Sequence, residues 1–121
     1  MSKERAKGTR WETAVMEYLN GQGVAVHRAP LSSPTGDLDG LEWAVLEAKD
    51  QREQRLAIWV DQAIAEAEKK STASGKPVVP IVIAKRRMKP TRDAYAILPL
   101  WAITWILTGD LFDWYNSDGT E

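Results

Sequence analysis

The fold of this chain is decided by residues 36–50, which read GDLDGLEWAVLEAKD. Asp39 and Gly40 are a strong signal for a tight two-residue turn, because both residue types tolerate the positive φ that such a turn requires. The run from Trp43 to Lys49 alternates in character and is flanked by turn residues, so it predicts a strand. We therefore interpret the stretch as a β-hairpin.

The second strand of this hairpin carries unusual chemistry. Because side chains alternate along a strand, Val45, Glu47 and Lys49 share one face, and Leu46 lies with its alanine neighbours on the other. An acid and a lysine two residues apart, after apolar residues, are not typical of an ordinary half-buried strand. With Asp37 on the preceding strand, the pattern predicts two carboxylates and one ammonium around one point.

Such a trio is suited to phosphodiester hydrolysis. Two carboxylates can hold a hard cation such as Mg²⁺, with Mn²⁺ able to substitute, while water and phosphate occupy other positions. The cation makes a water more acidic and stabilises charge on a phosphoryl oxygen, and the lysine can help in either task. The alternative is a surface hairpin in which Glu47 and Lys49 pair only with each other or with solvent. The spacing alone does not separate the two.

Composition narrows the possible classes of protein. The 121 residues suffice for one domain, 1–121, with a modest core, and 44% hydrophobic with 27% charged residues is typical of a folded chain. Without cysteine there are no disulfides, zinc–thiolate sites or cysteine nucleophiles, and a single histidine, His27, excludes a multi-histidine metal site in one subunit. We expect no secretory signal, no membrane span and a cytoplasmic location, because the N-terminus is charged and the longest apolar run, 94–107, is short.

Charge is distributed unevenly although the net charge is only −1. Residues 1–10 carry four basic residues against one acid, and residues 85–92 carry five basic residues and no acid. Such clusters can bind phosphate backbones locally, and otherwise they are solvated loops. We expect residues 1–8 to form a basic, flexible arm and residues 110–121 an acidic, aromatic tail that either docks onto the fold or frays.

The remaining elements follow from periodicity and turn residues. A strand–helix–strand crossover after the hairpin implies a mixed sheet with helices on its faces. The predicted fold class is therefore α/β, with about five strands flanked by helices. Outside the hairpin, strands are predicted at 24–28, 79–84 and 94–98, and helices at 9–21, 50–72 and 99–109.

Glu12 has two possible roles. Thr9 and Glu12 fit a capping box, in which the glutamate would cap its own helix. A carboxylate that caps a helix cannot also serve fully at a metal site. His27 is expected to be a structural strand residue, because nothing in the sequence supplies a partner that would orient it.

The ordered set of these pieces resembles the PD-(D/E)XK nuclease superfamily, and within it archaeal-type Holliday junction resolvases. The resemblance runs from Lys7 to about Leu98. It consists of the helix opened by Lys7-Gly8-Thr9-Arg10-Trp11-Glu12, the strand Val26-His27-Arg28, a serine-containing loop, Gly36-Asp37, Glu47-Ala48-Lys49 and a helix with Gln62. Gly36 stands where the family has proline. The resemblance implies a restriction-endonuclease-like sheet.

Roles are implied residue by residue. Asp37 and Glu47 would bind the metal, Lys49 would assist the attacking water, and Glu12 would complete the metal site directly or through water. Asp39 is an alternative to Asp37 as the metal ligand, although the predicted turn would by itself account for an aspartate at position 39. The expected DNA-binding residues are Lys7, Arg10, Arg28, Ser32, Ser33 and Gln62, to which the basic segment adds Lys85, Arg86, Arg87 and Lys89.

The resemblance implies a Mg²⁺- or Mn²⁺-dependent endonuclease that resolves four-way DNA junctions by paired nicks as a homodimer. It would act in DNA recombination, DNA repair or phage DNA processing, in a bacterial, archaeal or phage-infected cell. A restriction-like, nicking or exonucleolytic enzyme remains an alternative. So do a non-catalytic DNA-binding module on the same fold and a structural dimer formed through the aromatic C-terminal region.

Overall fold

The computed structural model describes residues 3–30 and 36–116. Its sheet has five strands in the order β1-β2-β3-β4-β5, and helices flank it, so the predicted fold class is confirmed. A short 3₁₀ turn, Thr91–Asp93, precedes the last strand. The elements in chain order are α1 (Lys3–Gly21), β1 (His27–Arg28), β2 (Leu38–Asp39), β3 (Ala44–Lys49), α2 (Leu56–Ser74), β4 (Val79–Ala84), β5 (Tyr95–Ile97), α3 (Leu100–Leu107) and α4 (Asp110–Asn116).

The predicted crossover is present. β3 and β4 pair in parallel from Ala44 opposite Val79 to Lys49 opposite Ala84, and α2 connects them. The other strand pairs are antiparallel, so the sheet is mixed. Parallel pairing over the full length of β3 buries this strand in the middle of the sheet.

The two faces of β3 pack against different helices, as the alternation predicts. On one face Leu46 belongs to a core cluster with Trp11 and Val15 of α1. On the other face Val45 packs with Ala67 of α2. The indole N–H of Trp11 donates to the carbonyl of Ile83 (3.2 Å), which ties α1 to β4.

The C-terminal region is helical over Asp110–Asn116 and docks onto the rest of the fold. Leu111 is buried against Val79 and Ala102, and the Tyr115 hydroxyl donates to the carbonyl of Pro77 (2.6 Å). Residues 117–121 lie outside the described part of the chain. No helix within 3–30 or 36–116 is both long enough and apolar enough to cross a membrane.

The predicted capping box at Thr9 is wrong, because α1 begins at Lys3. Residues from Lys3 to Lys7 are mostly good helix formers, and their propensity extends the helix through Gly8. Lys3–Gly8 is therefore helical instead of a separate arm. Glu12 lies inside the helix and has no capping role.

Two other boundaries differ from prediction by more than two residues. α2 begins at Leu56, because residues 50–55 form the connection from the end of β3. β1 contains only His27 and Arg28. The N–H of Val26 donates to the Asn20 side chain (2.9 Å), so this residue is bonded to α1 and not to a neighbouring strand.

The predicted two-residue turn at Asp39 and Gly40 is also wrong. The connection between β2 and β3 spans four residues, 40–43, and the turn lies at residues 42 and 43. Gly40 has φ +127°, and a Cβ there would collide with the carbonyl oxygen of Ala25. Glycine is required at this position for a close backbone approach.

We predict that Gly40→Ala lowers the free energy of unfolding by about 2 kcal/mol, through the collision and the positive φ. The matched control is Gly8→Ala, where a Cβ has open space within a helix; it should raise stability by about 0.5–1 kcal/mol. Urea denaturation of both variants measures the difference. Equal stability of Gly40→Ala and the wild type would contradict the close approach.

Candidate active site

Asp37 is fixed beside β3 by two hydrogen bonds. Its N–H donates to the carbonyl of Leu46 (3.0 Å), and its Oδ2 accepts from the N–H of Ala48 (2.9 Å). These two partners are the neighbours of Glu47 on either side. The hairpin therefore brings Asp37 next to Glu47, as the sequence predicts.

Glu47 is only 2% exposed, and it is the one charged side chain in the described ranges that is fully buried. The ammonium of Lys49 lies 3.6 Å from Glu47 Oε2. Lys49 also donates to Oε1 of Gln62 on α2 (2.8 Å). Asp37, Glu47, Lys49 and Gln62 thus form one site at the end of β3, and Gln62 fixes the position of the lysine.

Glu66 belongs to this site and is missed by the sequence reasoning. It lies one turn after Gln62 on α2, and its carboxyl group is close enough to that of Glu47 to raise the pKa of Glu47. Oε2 of Glu66 is buried and has no hydrogen-bond partner. The i, i+4 spacing from Gln62 is the signal that could have indicated Glu66.

The electrostatics of the site disfavour ionised carboxyl groups. Burial raises the pKa of Glu47 to about 9, and the neighbouring Glu66 and Asp37 add to this effect while Lys49 opposes it. Burial also raises the pKa of Asp37; the Ala48 N–H lowers it, and the charge of Glu12 raises it further. The site has more carboxylate charge than Lys49 can balance.

Glu12 lies near the site but is paired. Its Oε1 accepts from Nη2 (3.1 Å) and Nε (3.3 Å) of Arg28. Its charge nevertheless acts on Asp37. The acidic residue at the other end of the hairpin, Asp39, instead acts on Lys70, whose ammonium contacts the carbonyl of Ala44 at the start of β3 (3.0 Å). Asp37, not Asp39, therefore accompanies Glu47.

A divalent cation fits this donor set. Within residues 3–30 and 36–116, no three acidic, histidine or cysteine side chains are grouped so as to hold a metal ion. Magnesium needs no such group, because it is held by one or two carboxylates together with water and phosphate. Asp37 and Glu47 supply two hard oxygen donors. The buried Oε2 of Glu66, which has no hydrogen-bond partner, is a further sign that positive charge is lacking.

Several of the predicted DNA-binding residues line one cleft. The cleft has a volume of about 500 Å³, lies between α1 and the loop after β4, and contains Lys7, Arg10, Lys85 and Lys89. A second cleft of about 420 Å³ shares Lys7 and Asp50 with it and reaches Ala48, whose N–H is bonded to Asp37. Together they form a basic surface that leads to the end of β3.

The other predicted DNA-binding residues are placed differently. Arg28 is half-exposed and bound to Glu12. Arg86 faces inward, with its guanidinium 4.8 Å from the centre of the Tyr95 ring, whereas Arg87 is exposed. Ser32 and Ser33 lie outside the described residues.

Comparison of the chain with protein-family models, with curated proteins and with solved structures finds no match in any of the three.

The raised pKa of Glu47 predicts a pH dependence of stability in EDTA. In the unfolded chain this carboxyl ionises near its ordinary value of 4.5, whereas in the fold its pKa is about 9, so the folded state binds more protons between these values. The free energy of unfolding should therefore fall as the pH rises from about 5 to 9. Glu47→Gln, which stays neutral, should flatten this fall.

Thermal unfolding across this pH range measures the slope. Glu17→Gln, which changes an exposed acid on α1, is the matched control and should keep the slope of the wild type. Equal slopes for Glu47→Gln and the wild type would show that Glu47 is ionised throughout.

Proposed function

We propose that this protein is a Mg²⁺-dependent nuclease of the PD-(D/E)XK type, with Mn²⁺ able to substitute, that cuts branched DNA. The observation that carries the proposal is the burial of Glu47, 2% exposed, beside Asp37 and Lys49. A buried carboxyl group without sufficient positive charge destabilises the fold. Its presence is expected where a ligand supplies the missing charge.

The shortage of positive charge within the site supports binding of a divalent cation. Lys49 contributes one charge, while Asp37, Glu47 and Glu66 bring three carboxyl groups together. One divalent cation would make the group electrically neutral if all three were ionised. Asp37 and Glu47 would hold it, because their oxygens are the hard donors that Mg²⁺ prefers. Glu66 would contribute a further negative charge to balance the cation.

Each residue then has a role in hydrolysis. When bound, the cation supplies Lewis acidity toward a phosphoryl oxygen and makes water more acidic. Lys49 orients the attacking water and stabilises negative charge that develops at the phosphate. Gln62 holds the Lys49 ammonium by the 2.8 Å hydrogen bond, so it is a positioning residue.

The basic clefts support a polyanionic substrate. Lys7, Arg10, Lys85 and Lys89 would contact the DNA backbone, and the second cleft would lead the strand toward Asp37 and Glu47. Paired nicks in a four-way junction require two sites, so we propose a homodimer. The exposed side chains of Trp101 and Leu107 on α3 offer an apolar surface for it. Such a substrate would place the protein in the cytoplasm.

A gel assay tests the proposal directly. An immobile four-way junction and a linear duplex of the same sequence are incubated with the protein in Mg²⁺ or EDTA. Paired symmetric nicks on the junction, in Mg²⁺ only, are the expected result. Equal cutting of both substrates would support nuclease activity but exclude a preference for the junction. Binding without any cutting in Mg²⁺ or Mn²⁺ would reject the nuclease and favour a non-catalytic DNA-binding module.

We predict that Glu47→Gln lowers the cleavage rate by at least about a hundredfold, because it removes a charged ligand with little change in volume. Junction binding in EDTA should be retained. The matched control is Glu53→Gln, an exposed acid in the loop before α2, which should cut like the wild type. Unchanged cleavage by Glu47→Gln would exclude this site.

The charge reversal Lys89→Glu should weaken DNA binding and reduce the slope of log affinity against log salt by about 1, because one phosphate contact is lost. Lys69→Glu, at an exposed position on α2, makes the same change of charge outside the cleft. It should have a much smaller effect. If both variants have the same slope, the cleft is not the DNA-binding surface.

A further inference from the structure

The loop that follows β4 presents a methionine in an unfavourable conformation. Met88 is 98% exposed and has φ +62°, and it is the one non-glycine residue with a positive φ in the described ranges. A left-handed backbone conformation is disfavoured for a side chain such as methionine. An exposed apolar side chain also gains nothing from burial. The backbone conformation therefore costs stability that burial of the side chain does not offset, which is a reason to look for a function.

The loop is held at its base, so Met88 is presented in a defined way. The Arg86 guanidinium stacks 4.8 Å from the centre of the Tyr95 ring and donates to the carbonyl of Asp93 (3.4 Å). The N–H of Lys89 donates to the carbonyl of Arg86 (3.4 Å), which closes the turn around Met88. These contacts turn Arg86 inward and leave Met88 outside.

The loop begins next to the candidate active site. The N–H of Lys85 donates to the carbonyl of Lys49 (2.9 Å). Three residues of extended chain span at most about 11 Å, so the backbone of Met88 lies within that distance of Lys85. This distance equals about three base steps of DNA. Exposed Arg87 and Lys89 flank Met88 on both sides.

We propose that Met88 is a wedge that inserts between bases at the branch point of the DNA while Arg87 and Lys89 hold the phosphates on either side. This inference rests on the proposed function and deepens it. Apolar side chains, methionine among them, enter between base steps and unstack them in other DNA-binding proteins. Unstacking costs least where pairing is already interrupted, so the wedge would favour branched over continuous duplex DNA. Because Met88 lies so close to the candidate active site, the wedge would also place the cut within a few nucleotides of the branch.

The wedge is tested by the fluorescence of 2-aminopurine placed beside the branch of a four-way junction, because unstacking of this base raises its emission. The protein is the full chain with Glu47→Gln, so that no cutting occurs. We expect a rise in fluorescence on binding, and a loss of most of this rise with Met88→Ala. Junction affinity should fall about tenfold while affinity for linear duplex falls less than about twofold.

Three variants separate the wedge from an effect on folding. Met88→Leu keeps an apolar side chain and should keep the fluorescence rise. Met88→Gly removes the strain of the positive φ and should raise Tm. It should nevertheless abolish most of the fluorescence rise, as Met88→Ala does, because the apolar side chain is gone. Leu56→Ala removes another apolar side chain, 45% exposed at the start of α2, and should leave the fluorescence rise of the Glu47→Gln protein unchanged.

The outcomes distinguish this inference from the proposed function. Junction cutting by the wild type without a fluorescence change, or with the rise unchanged in Met88→Ala, would overturn the wedge and retain the nuclease. A Met88-dependent rise without cutting by the wild type would support the wedge and overturn the nuclease. Failure of the full chain to bind the junction at low salt would overturn both.

Discussion

The burial of the Glu47 carboxyl at the end of β3 is the constraint on which the rest of this structure depends. Parallel pairing with β4 and the covering helix α2 remove this residue from solvent. The hydrogen bond from the Ala48 N–H to Asp37 then holds a second carboxyl group beside it. Packing and backbone hydrogen bonds must offset the electrostatic cost. The same packing makes the site rigid, and rigidity is what a catalytic constellation requires.

Features encoded in local periodicity could be predicted from the sequence. The two faces of β3 and the crossover to β4 follow from residue alternation and from the order of the elements. The convergence of Asp37 with Glu47 followed from the hairpin. Features that depend on tertiary contacts could not be predicted. Gly40 is needed for its approach to Ala25. The spacing of Gln62 and Glu66 puts them on one face of α2, but only the orientation of α2 against β3 brings that face to Glu47.

Electrostatics and geometry connect the acidic site to the basic surface. Asp50, the residue after β3, lies 3.6 Å from the ammonium of Lys7 and 3.8 Å from that of Lys85. It thereby joins α1 and the loop after β4 at the end of β3. Positive charge is concentrated at this edge although the net charge is −1. A polyanion would be drawn to the edge that carries the carboxyl groups.

The most direct test of the central claim is calorimetric titration of the DNA-free protein with Mn²⁺ at pH 7, in buffers of different ionisation enthalpy. Because burial holds the pKa of Glu47 near 9, a cation that binds its carboxylate must displace a proton. We expect release of about one proton per bound ion, and loss of binding in Glu47→Gln. Absence of binding, or equal binding and proton release in Glu47→Gln, would exclude Glu47 as a ligand of the cation.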